Sequence, residues 1–441
     1  MKQPIITPRA IGRARTTLLC VVLFSFADTS LRRVVAQQPV NKQLNRGGVP
    51  LRLREPRIKP IEEKDWTAVE RELLAPIKTE RGSVPNIYGT LARHPKLFAP
   101  RLTFGRYIQR GSTVPARDRE ILILRIAWLS SGEYEWSAHT TIGIQNGLTK
   151  EDIQRIAKGP QAHGWSPFDA TLVRAADELY QNMFIGDPTW KRLAKRYDTH
   201  QMMDLVMTVG GYHMLAMALN SFGVRLEQDA AGFPTRAGTL QPGPNRRGGI
   251  PIRLSRPRIP PTPESDWSND ERELLSGFKQ QRGYVMNVYG TLTRHPQMYR
   301  PWLAFARYIL RESSLPARER EMLICRIAWL ASGEYEWAAH KSLGKDAGLT
   351  DAEITRLSEG PDAKGWRPID GAIVIAVDEL HYDALISDAT WTALARRFDT
   401  RQLMDLVFTV GAYKMLAMAL NSFGAQLDKG MIGFETPANR N

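Results

Sequence analysis

Cysteine is close to absent from this chain: among 441 residues only Cys20 and Cys325 carry a thiol. So few thiols exclude a disulfide framework, and a paired-thiol redox centre too once the segment holding Cys20 is removed. Long apolar runs are also missing. Residues 18–27 are too few to span a bilayer; they follow Lys2, Arg9, Arg13 and Arg15, with no acid before Asp28. This is the layout of a signal peptide, so residues 1–36 are expected to direct export, periplasmic or secreted. No later stretch reads as a membrane span. The chain has no phosphate-cradling glycine loop, nucleophile elbow or dinucleotide fingerprint, and its Glu-Trp-x-x-His run lacks the second histidine of a zinc site. No cofactor and no metal are expected. The formal charge of +14 is dispersed and comes without an aromatic-basic motif. Nucleic acid is therefore not expected as a partner, whereas a small anionic substrate is.

What is present is present twice. Glu-Tyr-Glu-Trp-Ser-Ala-His at 133–139 returns as Glu-Tyr-Glu-Trp-Ala-Ala-His at 334–340, 201 residues later. The offset holds without a gap from residues 46–48 through 214–223, and this last stretch is identical to 415–424. A repeat of that length is a whole domain, not a solenoid unit. Domain 1 is read as 46–227, a Pro/Gly-rich linker as 228–246 and domain 2 as 247–428. Alternating apolar runs are scarce and the periodicity is helical, giving 66–79, 95–110, 115–130, 133–146, 149–158, 167–182, 187–197 and 199–224, repeated at the same offset. The expected fold class is all-α. Pro115 and Pro316 open helices, 149–152 and 350–353 read as capping boxes, and Gly132 and Gly333 suit tight turns between helices. His94-Pro95 and His295-Pro296 mark helix boundaries. Met202, Met203, Met207, Met214 and Met217 give the last helix an adaptable surface that suits an interface between the copies or between subunits.

Two neighbouring helices carry the candidate chemistry. Glu120 shares an apolar face with Ile123, Leu124 and Ala127, and Glu321 does so with Ile324, Cys325 and Ala328. Such a carboxylate is either desolvated or paired with a cation. Arg125 and Arg326, also among apolar residues, are either its structural partners or guanidinium groups that hold an anionic substrate. On the next helix Glu135 stands one turn before His139, and Glu336 one turn before His340, the spacing at which a carboxylate can orient an imidazole base. Trp128, Tyr134 and Trp136, with Trp329, Tyr335 and Trp337, are either core or the walls of a pocket for a flat substrate.

From Ala116 through Trp128, Tyr134, Glu135, Trp136 and His139 to 147–149, 176–179 and 187–190, each copy resembles the carboxymuconolactone decarboxylase-like family, within the superfamily that includes alkyl hydroperoxidase D. The resemblance implies two tandem helical domains related by a pseudo-twofold axis, an internal pseudo-dimer that can assemble further. In the peroxidase branch two cysteines stand where this chain has Gly132 and Glu135, so thiol peroxide reduction is disfavoured. What remains resembles a cofactor-free carboxy-lyase acting on small carboxylated lactones or enolisable acids. In that reading His139 and His340 move the proton, Glu135 and Glu336 orient them, Glu120 and Glu321 are second acid/base groups, and Arg119, Arg125, Arg320 and Arg326 bind carboxylate. The alternatives are a residual hydroperoxidase and a non-catalytic helical binding protein.

Overall fold

Side-chain capping starts eight of the 18 α-helices among the described residues. Thr149 accepts from the Asp152 amide while Asp152 accepts from that of Thr149, and Thr350 with Glu353 does the same, closing two of the expected capping boxes. The computed structural model describes residues 44–47, 51–234 and 239–434, apart from 52, 81, 245–247 and 253; the targeting segment lies outside the described residues. The first half runs α1 (Ala68–Leu74), α2 (Asn86–Leu91), α3 (Pro95–Arg106), α4 (Ala116–Leu129), α5 (Glu133–Gln145), α6 (Lys150–Lys158), α7 (Pro167–Asn182), α8 (Asp187–Leu193) and α9 (Thr199–Phe222). The second half repeats it as α10 (Asn269–Arg282), α11 (Asn287–Leu292), α12 (Pro296–Arg307), α13 (Ala317–Leu330), α14 (Glu334–Asp346), α15 (Asp351–Glu359), α16 (Pro368–Asp383), α17 (Asp388–Ala395) and α18 (Thr400–Phe423).

The fold is all-α, as the periodicity predicts. Helices α2 and α11 were not expected, since six residues are too few to show a period. The expected linker is not featureless either. One antiparallel ribbon pairs β1 (Leu44–Gly47) with β2 (Thr239–Pro242), and Phe233 leaves the linker to pack against Trp128 and Trp136, with ring centroids at 5.4 and 5.7 Å.

Helices α9 and α18 form the centre. By length and composition both could cross a bilayer, contrary to the sequence expectation, yet they are buried inside the fold as core helices. They pack on each other reciprocally. A Cβ on Gly210 would overlap the Met415 side chain and stand 3.1 Å from its Cα; one on Gly411 would meet Met214 in the same way, again 3.1 Å from Cα. Each contact has its mirror, the mark of a twofold-like interface. Arg57 donates to the carbonyls of Ser221 and Ile386 at 2.9 and 2.7 Å, and Arg258 to those of Ser422 and Ile185 at 3.1 and 2.7 Å. Asn220, in the stretch that also ends α9 at left-handed Gly223, donates to the Ala384 carbonyl, and Asn421 donates to that of Met183.

His94 and His295 cap α3 and α12, the boundary role expected of them, and also clamp the halves together. His94 Nε2 lies 2.9 Å from Tyr308 Oη and 3.3 Å from Asp405 Oδ1. His295 Nε2 lies 3.0 Å from Tyr107 Oη and 3.2 Å from Asp204 Oδ2. Because a methionine backbone as well as its side chain closes on each glycine, rotamer change cannot relieve a larger residue there. Gly210→Val with Gly411→Val is expected to lower the melting temperature strongly, since overpacking costs about 1–3 kcal/mol per site; an unchanged thermal unfolding curve would contradict this crossing.

Candidate active site

A sharp reversal between α4 and α5 lays one helix across the other. Ser131 supplies the left-handed residue with φ 51°, and Ser332 repeats it at 52°, whereas Gly132 has φ −77° and begins α5. The sequence reading gave that turn to the glycine. Farther along, Gly143 permits close approach: a Cβ there would come 2.9 Å from Leu148 and 3.6 Å from the Cβ of Glu120. Glu120 and His139 meet at this crossing. His139 Nδ1 lies 2.6 Å from Glu120 Oε2, and His340 Nδ1 lies 2.6 Å from Glu321 Oε2. His139 is 5% exposed and Glu120 2%, so solvent screens the pair little. Accepting from Nδ1, the carboxylate selects the tautomer whose Nε2 carries the lone pair. From α9, Tyr212 sets its ring edge-on to His139 at 4.9 Å, and Tyr413 from α18 does so to His340 at 4.9 Å. Gln109 donates to Tyr212 Oη at 3.2 Å.

Several expected roles change. Glu135 does not orient His139. It sits in the first turn of α5 and folds back over Gly132, and neither carboxylate oxygen has a hydrogen-bond partner; Glu336 does the same over Gly333. Arg125 and Arg326 are not free to hold a substrate. Arg125 Nε and Nη2 grip Asp177 of α7 at 2.5 and 3.1 Å while Nη1 donates to the Ile156 carbonyl. Arg326 binds Asp378 at 2.7 Å and the Leu357 carbonyl at 2.8 Å. These are buried pairs fastening α4 to α7 and α13 to α16.

The aromatic residues are fastenings rather than pocket walls. Trp128 and Trp136 are sealed by Phe233, and Trp329 and Trp337 by Phe434 at 5.2 and 6.0 Å. Tyr134 donates to Glu227 and Tyr335 to Asp428, tying α5 and α14 to the segments after α9 and α18. Arg119 and Arg320 remain beside the site, each with a buried Nε–H that makes no hydrogen bond; Arg320 Nε stands 3.5 Å from Glu321 Oε1. Cys325 is fully buried, and burial with the charge of Glu321 pushes its thiol far up, leaving no thiolate. Among the described residues no cluster of His, Cys, Asp and Glu could hold a metal ion. A cleft of about 470 Å³ opens elsewhere, lined by Arg57, Lys59, Arg93, Asp399 and Arg401, and touches neither dyad.

Burial without a hydrogen-bond partner pushes the Glu135 carboxyl from 4.5 to about 8, although its own backbone N–H and the charge of Arg101 pull the other way. Burial likewise raises Glu336 to about 8. Between these values the unfolded chain releases protons that the folded chain keeps, so stability falls as pH rises through the window and levels off above it. Glu135→Gln with Glu336→Gln is expected to raise the melting temperature near about pH 8.5, by on the order of 1 kcal/mol or more per site, and to change little at acidic pH. Equal melting temperatures for both proteins at the higher pH would contradict the assignment.

A family model described as the carboxymuconolactone decarboxylase family matches residues 95–178 and 296–360, one region in each half. Each region holds its half's dyad. Comparison with curated proteins gives no match. Among solved structures the chain is similar to the alkylhydroperoxidase AhpD core of an uncharacterised peroxidase-related protein from Ralstonia eutropha JMP134, at 17% identity and a TM-score of 0.35, over 39% of this chain and 93% of that one. It is also similar to a variant of the debrominase Bmp8 in complex with 2,3,4-tribromopyrrole, at 11% identity and a TM-score of 0.34, over 40% of this chain and 94% of that one. With a matching region and a Glu–His pair in either half, the chain is similar to two carboxymuconolactone decarboxylase-like domains in tandem.

Proposed function

We propose that the protein is an acid–base enzyme of the carboxy-lyase kind, removing carbon dioxide from, or enolising, small carboxylated lactones and related acids without a cofactor. The observation that carries this reading is the 2.6 Å contact between a buried imidazole and a buried carboxylate, found once in each half. In such a reaction the bond to the carboxylate carbon breaks, carbon dioxide leaves, and the electron pair stays on the substrate as an enolate. A proton must then reach carbon. His139 Nε2, a lone pair in the resting ring, would first take up a proton from solvent and then deliver it to carbon, while Glu120 holds the ring and balances the imidazolium charge that forms and decays. Glu135, protonated at neutral pH, is a second proton source in the same buried cluster. Arg119 and Arg320, each next in sequence to the dyad glutamate and each with a buried Nε–H that makes no hydrogen bond, are candidate cations for a departing or developing anion. Among the described residues Cys325 is the one thiol, and its burial and raised pKa disfavour thiol peroxide chemistry.

His139→Ala with His340→Ala is expected to lower carbon dioxide release from a panel of carboxylated lactones and β-keto acids, together with proton exchange into deuterium oxide, by about 10²–10⁴-fold, with helicity and melting retained. Turnover unchanged in that double variant would end the proposal. The exported location and any assembly beyond the internal pseudo-dimer belong to the same proposal, and secretion of a fusion carrying residues 1–36 would test the first.

A further inference from the structure

The duplication gives each dyad similar core surroundings, yet positions near it have drifted, Leu124 to Cys325 and Thr140 to Lys341 among them. Arg101 of α3 corresponds to Trp302 of α12, and Gln109 corresponds to Leu310. Arg101 is 6% exposed, its Nε–H makes no hydrogen bond, and among the described residues no ion pair joins it to a carboxylate. Glu135, Tyr88 and Tyr212 lie within electrostatic reach of its guanidinium, and Tyr212 is also within reach of Glu120 and stands perpendicular to the His139 ring, with centroids 4.9 Å apart. Tyr212, in ring contact with His139, thus couples the buried, unpartnered Arg101 to the first dyad. Burial pulls its guanidinium down only to about 10, so it is cationic at neutral pH. Its acidic neighbour does not neutralise it, because Glu135 keeps its proton below about 8. An uncompensated cation in so dry a place costs several kcal/mol unless an anion joins it. In the second half Trp302 is 3% exposed and packs on Phe104 and Phe305, with centroids at 5.4 and 5.8 Å. There Tyr413 has Glu321, Glu336, Tyr289 and Arg320 around it, and no counterpart of Arg101.

We propose that the two sites have parted in ligand class: the first half binds a small carboxylate through Arg101, with Gln109 and Tyr212 beside it, and the second half does not bind a carboxylate in that manner. This rests on the dyad's being the ligand site. Arg119 and Arg320 are common to both halves, so they cannot supply the difference. Arg101 is the residue that sets it.

The test is calorimetric titration of the full chain with benzoate and with uncharged benzamide at neutral pH, joined to histidine NMR. Benzoate is expected to bind one equivalent per chain, at least about tenfold more tightly than benzamide, and to move the ring signals of His139 but not of His340. Arg101→Met is expected to weaken benzoate by about tenfold or more, a loss of about 1.4 kcal/mol, with melting retained. Two equivalents per chain, equal shifts at both histidines, no binding at millimolar benzoate, or an unchanged Arg101→Met would each overturn the proposal. Should Arg101→Met fail to fold, the stoichiometry and the two histidine signals decide alone. A chain that binds benzoate at His139 yet turns over no carboxylated acid keeps this inference and ends the catalytic reading. One in which His139→Ala and His340→Ala each halve the same turnover keeps the catalytic reading and ends this inference.

Discussion

Two long apolar helices, α9 and α18, pressed together at Gly210 and Gly411, are the constraint from which the rest of the molecule follows. Neither helix has a solvent face to give up, so neither half could stand alone without exposing it. The same helices reach outward to the chemistry. Tyr212 and Tyr413 project from them onto the imidazoles, and Asn220 and Asn421 bond both the α4–α5 or α13–α14 reversal of their own half and a carbonyl of the other. The central interface and the two dyads are thus one continuous piece of packing. A disturbance at the crossing is felt at the tyrosines.

Burial treats the two carboxylates near each histidine differently, and that difference organises the site. Glu120 has a partner in His139 and sits at a helix crossing; Glu135 has no hydrogen-bond partner and responds by holding its proton. A protonated acid and a carboxyl group that accepts a hydrogen bond from an imidazole are thus held near one another in each half. Duplication then relaxes the requirement that both sites serve one ligand. The dyad, the tyrosines and the buried glutamate are kept in both halves, while Arg101 and Gln109 have no chemical equivalents in the second.

Much of this was legible in the sequence, for physical reasons that can be named. The repeat announced the two halves, and the apolar stripe around Glu120 and the recurrence of His139 placed both groups on adjoining helices. The i, i+4 spacing of Glu135 and His139 misled, because a residue in the first turn of a helix can fold back over the preceding residues instead of along its own face. Arg125 was misjudged because its partner Asp177 lies on another helix, and no local pattern signals that pairing. Phe233 was lost in the proline-rich linker, although the matching Gly-Phe at 433–434 was there to find. Arg101 escaped for the opposite reason. Searching for positions kept in both halves discards the residue that makes them differ.

The central claim is that in each half a carboxylate on one helix holds an imidazole on the next by its Nδ1 proton, away from water. Nitrogen-15 NMR of histidine-labelled protein reads this directly. Two of the eight histidines should show the Nδ1–H tautomer with a slowly exchanging, strongly deshielded proton, and each signal should vanish with its own glutamate in Glu120→Gln or Glu321→Gln. Rings at these positions that exchange freely with solvent, or that keep their tautomer after the glutamate is removed, would contradict the account.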